Sequence, residues 1–128
     1  MSVVLDASAL LASLRGEPGA TRVDAVINGA IISTVNLAEV AGHFARAGNR
    51  RAEVDAMLAE LPIESVAPDR SVALEAGMLR AITDKAELSL GDRFCLAQAK
   101  AAAAKALTAD RAWAELRTKL GIEIEVIR

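Results

Sequence analysis

Four carboxylates stand where apolar runs give way to helical spacing: Asp6 in VVLDASALLA, Glu39 in ISTVNLAEV, Asp92 in LSLGDRFCLA and Asp110 in ALTAD. Each can do one of two things. A carboxylate at a helix start accepts an orphan backbone N–H, worth about 0.5–2 kcal/mol. Carboxylates from remote segments can instead converge, because ligands of open parallel sheets bind outside the carboxyl ends of the strands. Convergence has a cost. Two carboxylates about 4 Å apart repel by roughly 4 kcal/mol at an effective dielectric near 20, against a total stability of about 5–15 kcal/mol. Three or four acids in one pocket therefore need a cation or raised pKa values. Oxygen-only ligands select Mg²⁺ or Mn²⁺ over zinc, and Mg²⁺ tends to share its shell with substrate phosphates. An acidic pocket then accepts a polyanion through the metal.

The capping reading has its own support. Asn36 with Glu39 has the form of a capping box, and so does Ser89 with Asp92. Asp69, in VAPDRS, reads as a structural cap, and Asp110 fits that role as well. Asp92 is the acid that argues for more. Cys95, Leu96 and Ala99 follow it at helical steps, which places it on the stripe facing the core. A carboxylate there is expensive unless something neutralises it. Glu39 falls beside the apolar face of its helix, in line with Asn36 and His43.

The elements that must position these acids alternate along the chain. Strands are predicted at Val3–Leu5, Ala30–Ser33, Ile63–Val66, Lys105–Thr108 and Glu123–Ile127. About seven helices are expected, at 7–15, 20–28, 36–47, 50–60, 69–84, 90–103 and 111–120. Leu37, Val40, Phe44 and Ala47 recur at steps of three and four, as do Val72, Ala76, Leu79 and Ile82. Gly29, Gly48 and Gly121 close helices, and Pro62 follows another. AKAAAAKA reads as a packed helix end. Such alternation implies right-handed crossovers and a parallel sheet covered on both faces, one compact α/β unit over 1–128.

Composition narrows the function classes. The chain is 53% hydrophobic and 25% charged, ordinary for a folded domain. Aromatic content of 2% excludes an extended base-stacking platform. A net charge of −2 argues against a broadly basic duplex- or membrane-binding surface, though not against a local groove. The single cysteine, Cys95, forbids an internal disulfide and reads as a small core residue. With no leader-like start and no apolar run long enough to span a bilayer, a cytoplasmic protein is expected. Other residues carry weaker signals. His43, one turn beyond Glu39, reads as a half-buried helix residue more readily than a groove contact. Arg93 suits a phosphate contact or an ion pair with a neighbouring acid, and Arg46, Arg50 and Arg51 around the Gly48 turn read as a solvated turn more readily than an RNA contact. Trp113 packs with Leu116 and Leu120, and Leu10, Leu11 and Leu14 serve the core or a dimer interface.

With these residues in order, the chain resembles the PIN-domain ribonucleases, specifically VapC-type toxins of bacterial toxin–antitoxin pairs. The landmarks are VVLDASALLA, STVNLAEV, LSLGDRFCLAQA and ALTADRAW, in family order and at family spacing over essentially the whole chain. The resemblance implies a three-layer α/β/α fold with a five-stranded parallel sheet of order 3-2-1-4-5. It also implies Mg²⁺- or Mn²⁺-dependent endonucleolytic cleavage of RNA, often tRNA or ribosomal RNA. The family's acids fall on Asp6, Glu39, Asp92 and Asp110, and its supporting polar positions on Ser8 and Thr108. Asp6 and Asp92 would hold the principal metal, with Asp110 and Glu39 completing its outer shell or a second ion. Glu39 would orient the attacking water. A VapB-type antitoxin, a homodimer, and DNA contact only through the antitoxin are further implications.

Three rival readings make different demands on the sequence. A phosphoacceptor receiver domain needs an adjacent acidic pair after the first strand and a late strand-end lysine. Here Asp6 stands alone and Lys105 begins its strand. Haloacid-dehalogenase phosphatases carry a second Asp where this chain has Ser8. A non-catalytic, PIN-like or receiver-like protein-binding module would use the acids only as caps.

Overall fold

Alternation of side-chain direction along a strand decides how this chain buries its apolar runs. The computed structural model describes residues 2–83 and 87–128. Its strands are β1 (Val3–Leu5), β2 (Ala30–Ser33), β3 (Ile63–Val66), β4 (Lys105–Thr108) and β5 (Ile124–Val126). They form one parallel sheet in the order β3-β2-β1-β4-β5, the expected topology. Val4, Ala106 and Ile124 face one core cluster, while Val3, Leu5, Ile32 and Leu107 face the other. Neighbouring residues of one strand thus serve opposite cores.

Among the described residues, α1 (Ala7–Arg15), α2 (Ala20–Val26), α3 (Thr34–Arg46) and α4 (Arg51–Ala59) connect β1, β2 and β3. Beyond β3 come α5 (Arg70–Thr83), α6 (Leu90–Ala102), a 3₁₀ helix (Arg111–Leu116) and α7 (Arg117–Leu120). Side chains of α1 to α4 pack on the Leu5–Ile32 face, and those of α5, α6 and the 3₁₀ helix on the Val4–Ala106 face. The result is a three-layer α/β/α arrangement.

Several helix boundaries differ from expectation, each for a local reason. The third helix starts at Thr34 rather than 36, because Ser33 is its cap: the Ser33 hydroxyl accepts from the Val35 N–H at 3.2 Å. Asn36 is therefore inside the first turn and forms no capping box. On α5 the buried series is Val72, Ala76, Leu79 and Thr83, and Ile82 is exposed. Eleven residues bring a helix back almost to its starting face, whereas ten leave it about 80° short. The Asp69 cap is present, accepting from the Val72 N–H, and position 84 lies outside the described residues. The stretch expected as one helix over 111–120 begins as a 3₁₀ turn, whose three-residue period aligns the buried Trp113 and Leu116. The AKAAAAKA segment ends α6 at Ala102 and enters β4, and its Lys100, Ala101, Ala102 and Ala103 are exposed. Ala47, expected on the apolar stripe of α3, is its exposed C-cap.

Candidate active site

Strand order reverses at β1, which has β2 on one side and β4 on the other. The chain leaves the carboxyl ends of β1 and β4 side by side, and Asp6 and Asp110 follow those two ends. This is the crevice a parallel sheet offers to a ligand. Asp6, Ser8, Glu39, Asp92 and Asp110 all line one cleft of about 320 Å³, together with Ala7, Leu11 and His43. Among the described residues, no lysine or arginine lines it.

Asp6 is the most deeply set of the four, only 4% exposed. It caps α1: its Oδ1 accepts from the Ala9 N–H at 2.8 Å and from the Ser8 hydroxyl at 2.7 Å. Its Oδ2 accepts from the Thr108 hydroxyl at 2.6 Å. Those hydroxyls are themselves tied across the crevice. Ser8 Oγ accepts from the Ala109 N–H at 2.9 Å, and Thr108 Oγ1 accepts from the Asp110 N–H at 3.1 Å. One hydrogen-bond network thus joins the end of β1 to the end of β4. Burial pushes the Asp6 carboxyl up to about 6; the bonds from Thr108, Ala9 and Ser8 oppose the shift and the charge of Asp92 adds to it.

Asp92 is half-buried at the third position of α6. The Ser89–Asp92 capping box is formed, with Asp92 Oδ2 accepting from the Ser89 N–H at 3.0 Å and Ser89 Oγ from the Asp92 N–H at 3.2 Å. Burial raises its pKa, the Ser89 bonds lower it, and the charge of Asp110 raises it again. Asp110 is exposed and caps the 3₁₀ helix through the Ala112 N–H at 3.0 Å. Capping and convergence are therefore not alternatives here: Asp6, Asp92 and Asp110 each cap a helix and each line the cleft.

Glu39 is exposed on α3, and its Oε1 accepts from Asn36 Nδ2 at 2.8 Å. Asn36, only 1% exposed, also donates to the Gly91 carbonyl of α6 at 2.9 Å. Sequence reasoning missed this role by assigning Asn36 to a cap. The usable signal was its position on the inward side of α3, four residues before the buried Val40. His43 is half-buried as expected, but it also stands on the cleft wall, the less favoured of its two readings, edge-on to Phe44. Arg93 does not line the cleft and forms no ion pair among the described residues. It is buried, with Nη1 donating to the Ala76 carbonyl of α5 at 3.0 Å, and its charge slightly opposes the rise of the Asp92 pKa that burial causes. Cys95 lies fully buried, and burial followed by the charges of Asp6, Asp92 and Glu39 pushes its thiol up. It is an inert thiol.

The donor set suits a hard divalent ion: four carboxylates and one imidazole, His43, with no thiolate, lysine or arginine among the described lining residues. Among the described residues, no three His, Cys, Asp or Glu side chains stand close enough together to hold an ion directly. Mg²⁺ does not require that, because it keeps several waters and is usually bound through one or two carboxylates plus substrate phosphates. A larger groove of about 510 Å³ lies between α3 and α4, lined by Leu37, Ala41, Val54 and Leu58 among others. It contains none of the four acids, so its chemistry is that of apolar contact.

Comparison with known proteins bears on this geometry. A family model described as "PIN domain" matches residues 3–119. Among solved structures, a toxin–antitoxin complex from Klebsiella pneumoniae is similar at a TM-score of 0.70 and 18% identity, covering 88% of this chain and 90% of that one. The Mycobacterium tuberculosis VapC20, described as a sarcin–ricin loop cleaving toxin, is similar at 0.72 and 16% identity, covering 88% and 93%. DNA-bound VapBC from Salmonella typhimurium is similar at 0.69 and 18% identity, covering 98% and 97%. Comparison with curated protein sequences finds no match.

Proposed function

The chain belongs to the PIN domain family, and from that premise we propose that it is a VapC-type toxin: an Mg²⁺- or Mn²⁺-dependent endoribonuclease that cleaves RNA phosphodiester bonds, with tRNA or ribosomal RNA as substrate. The observation that carries the reading is the cleft itself. Four acids from remote parts of the chain share one wall-to-wall space with no lysine or arginine among the described lining residues. Such an arrangement is unfavourable as it stands and becomes favourable around a divalent cation.

Asp6 and Asp92 would hold the principal ion, with Asp110 and Glu39 completing its surroundings. When bound, such an ion lowers the pKa of a water and offsets charge on the phosphate oxygens. The protein's own groups do the rest. Ser8 and Thr108 fix the Asp6 carboxylate by hydrogen bonds to its two oxygens. Exposed Glu39 orients the attacking water or accepts its proton. Asp6→Asn and Asp92→Asn are expected to abolish cleavage of RNA while leaving the circular-dichroism spectrum unchanged. Full cleavage by both purified variants would remove the proposal.

A second reading draws on the caps. Since Asp6, Asp92 and Asp110 each satisfy a helix terminus, a non-catalytic binding module could retain them for folding alone. That reading predicts no thermal shift on adding Mg²⁺ or Mn²⁺. Similarity to VapBC assemblies supports a VapB-type antitoxin as partner; DNA contact through that antitoxin and a homodimer complete the proposal. No helix among the described residues is long and apolar enough to cross a membrane. A cytoplasmic setting fits a toxin acting on RNA.

A further inference from the structure

Glu39 occupies space that only a glycine leaves open. A Cβ built on Gly91 would lie 2.3 Å from Glu39 Oε1, 2.5 Å from its Cδ and 2.6 Å from Oε2. Contacts that short to a side-chain carboxylate mean that any residue but glycine at 91 forces Glu39 to move. The same carboxylate is held from its own helix by Asn36, whose Nδ2 bridges Glu39 Oε1 at 2.8 Å and the Gly91 carbonyl at 2.9 Å. Turning the Asn36 amide over would set an oxygen against two acceptors, so the donor orientation is fixed by its neighbours. That orientation leaves Asn36 Oδ1 buried with no partner among the described residues. A buried polar group left half-satisfied is unfavourable for stability and calls for another reason to be there.

We propose that Asn36 and Gly91 form a cradle that seats the Glu39 carboxylate on the first turn of α6, next to Asp92, and that both are positioning residues for cleavage. The proposal rests on the nuclease reading above. The amino end of a thirteen-residue helix favours a negative charge, so the seat is electrostatically suitable as well as sterically open. Asn36 ties α3 to α6 through the Gly91 carbonyl, beside the cleft that Glu39 and Asp92 both line. Without the cradle, an exposed glutamate on a flexible stem would sample many rotamers, and its carboxylate would seldom be where a water needs it.

Two measurements test this. In purified Asn36→Ala and Gly91→Ala, kcat for RNA cleavage is expected to fall on the order of tenfold to a hundredfold, as small misplacements of catalytic groups do. KM is expected to stay within about twofold, because no substrate contact is lost. Wild-type kcat in both variants overturns the positioning role. Independently of activity, the Asn36 side-chain amide of the wild type is expected to give two solvent-protected proton signals by NMR. One of the two should lose protection in Glu39→Ala and in Gly91→Ala, while the bond to the Gly91 carbonyl keeps the other. An amide spectrum indifferent to Glu39→Ala overturns the cradle even if Gly91→Ala fails to fold. If the wild type cleaves no RNA with either metal, the nuclease reading and the catalytic consequence fall together, and the amide signals alone decide the cradle.

Discussion

The carboxyl of Asp6 is held where ionisation works against the fold. Its pKa rises from an ordinary 3.8 to about 6, chiefly through burial, so the native state binds a proton that the unfolded chain releases. The sign follows. Below about pH 4 both states are protonated and the group costs nothing; as pH climbs through 6 the native state must carry a buried charge, and stability is lost. The loss amounts to roughly 3 kcal/mol. Asp6→Asn keeps the shape and removes the charge. In metal-free buffer it is therefore expected to be more stable than the wild type at pH 7, with the advantage vanishing near pH 4. Urea denaturation of both proteins across that range checks it. Equal stability at pH 7 would mean that burial is not charging the native state as argued. A divalent cation stabilises the ionised form, so the metal-dependent rise in Tm should grow as pH passes 6 and be absent from Asp6→Asn.

Elements were legible wherever a single pattern determined them. The strands stand out as apolar runs because both faces of the sheet are covered, and the expected sheet order is the one observed. Boundaries were harder, because several caps compete for one helix start. Ser33 outcompeted Asn36, and only tertiary structure shows that Asn36 is needed elsewhere. Arg93 was misread for a related reason: its partner is a backbone carbonyl of α5, which no side-chain pattern encodes. Gathering of the acids was legible as a possibility from strand ends and as an expectation from resemblance, but the hydrogen bonds of Ser8 and Thr108 to Asp6 needed coordinates. Glycines separate the two kinds of information. Gly19 has φ +96°, and a Cβ there would meet Ile127 Cγ1 at 2.6 Å and its carbonyl oxygen at 2.9 Å. Gly42 lies within α3, and a Cβ there would meet nothing within 4 Å among the described residues. Gly19→Ala is expected to destabilise by about 1–3 kcal/mol, loosening the start of α2 from the chain after β5. Gly42→Ala is expected to stabilise by about 0.5–1 kcal/mol. Chemical denaturation of the two variants gives shifts of opposite sign, and a shared sign would refute the distinction.

At the scale of the whole molecule, the charge balance and the surface make separate demands. A chain of net charge −2 whose cleft is lined by four acids cannot attract RNA there by its own field. On the proposed nuclease reading, substrate binding would come through the cation and through surfaces outside the cleft, and a second copy of the chain would supply such surface. Leu74, Met78 and Ile82 recur at four-residue steps on α5 and are 54%, 69% and 49% exposed, and Leu90 on the neighbouring α6 is 56% exposed. A stripe of this kind complements itself about a two-fold axis: antiparallel packing centred on Met78 sets Leu74 of one copy against Ile82 of the other. A standard interface buries roughly 800 Å² per partner, and Leu90 on α6 would extend the stripe toward that area. Met78→Glu would set two like charges against each other at the axis. It is expected to convert a dimer to a monomer in sedimentation equilibrium, with the far-ultraviolet spectrum unchanged, because Met78 contributes nothing to the core. A wild type that sediments as a monomer at micromolar concentration would leave that face without its partner, and RNA binding would have to be explained from one chain.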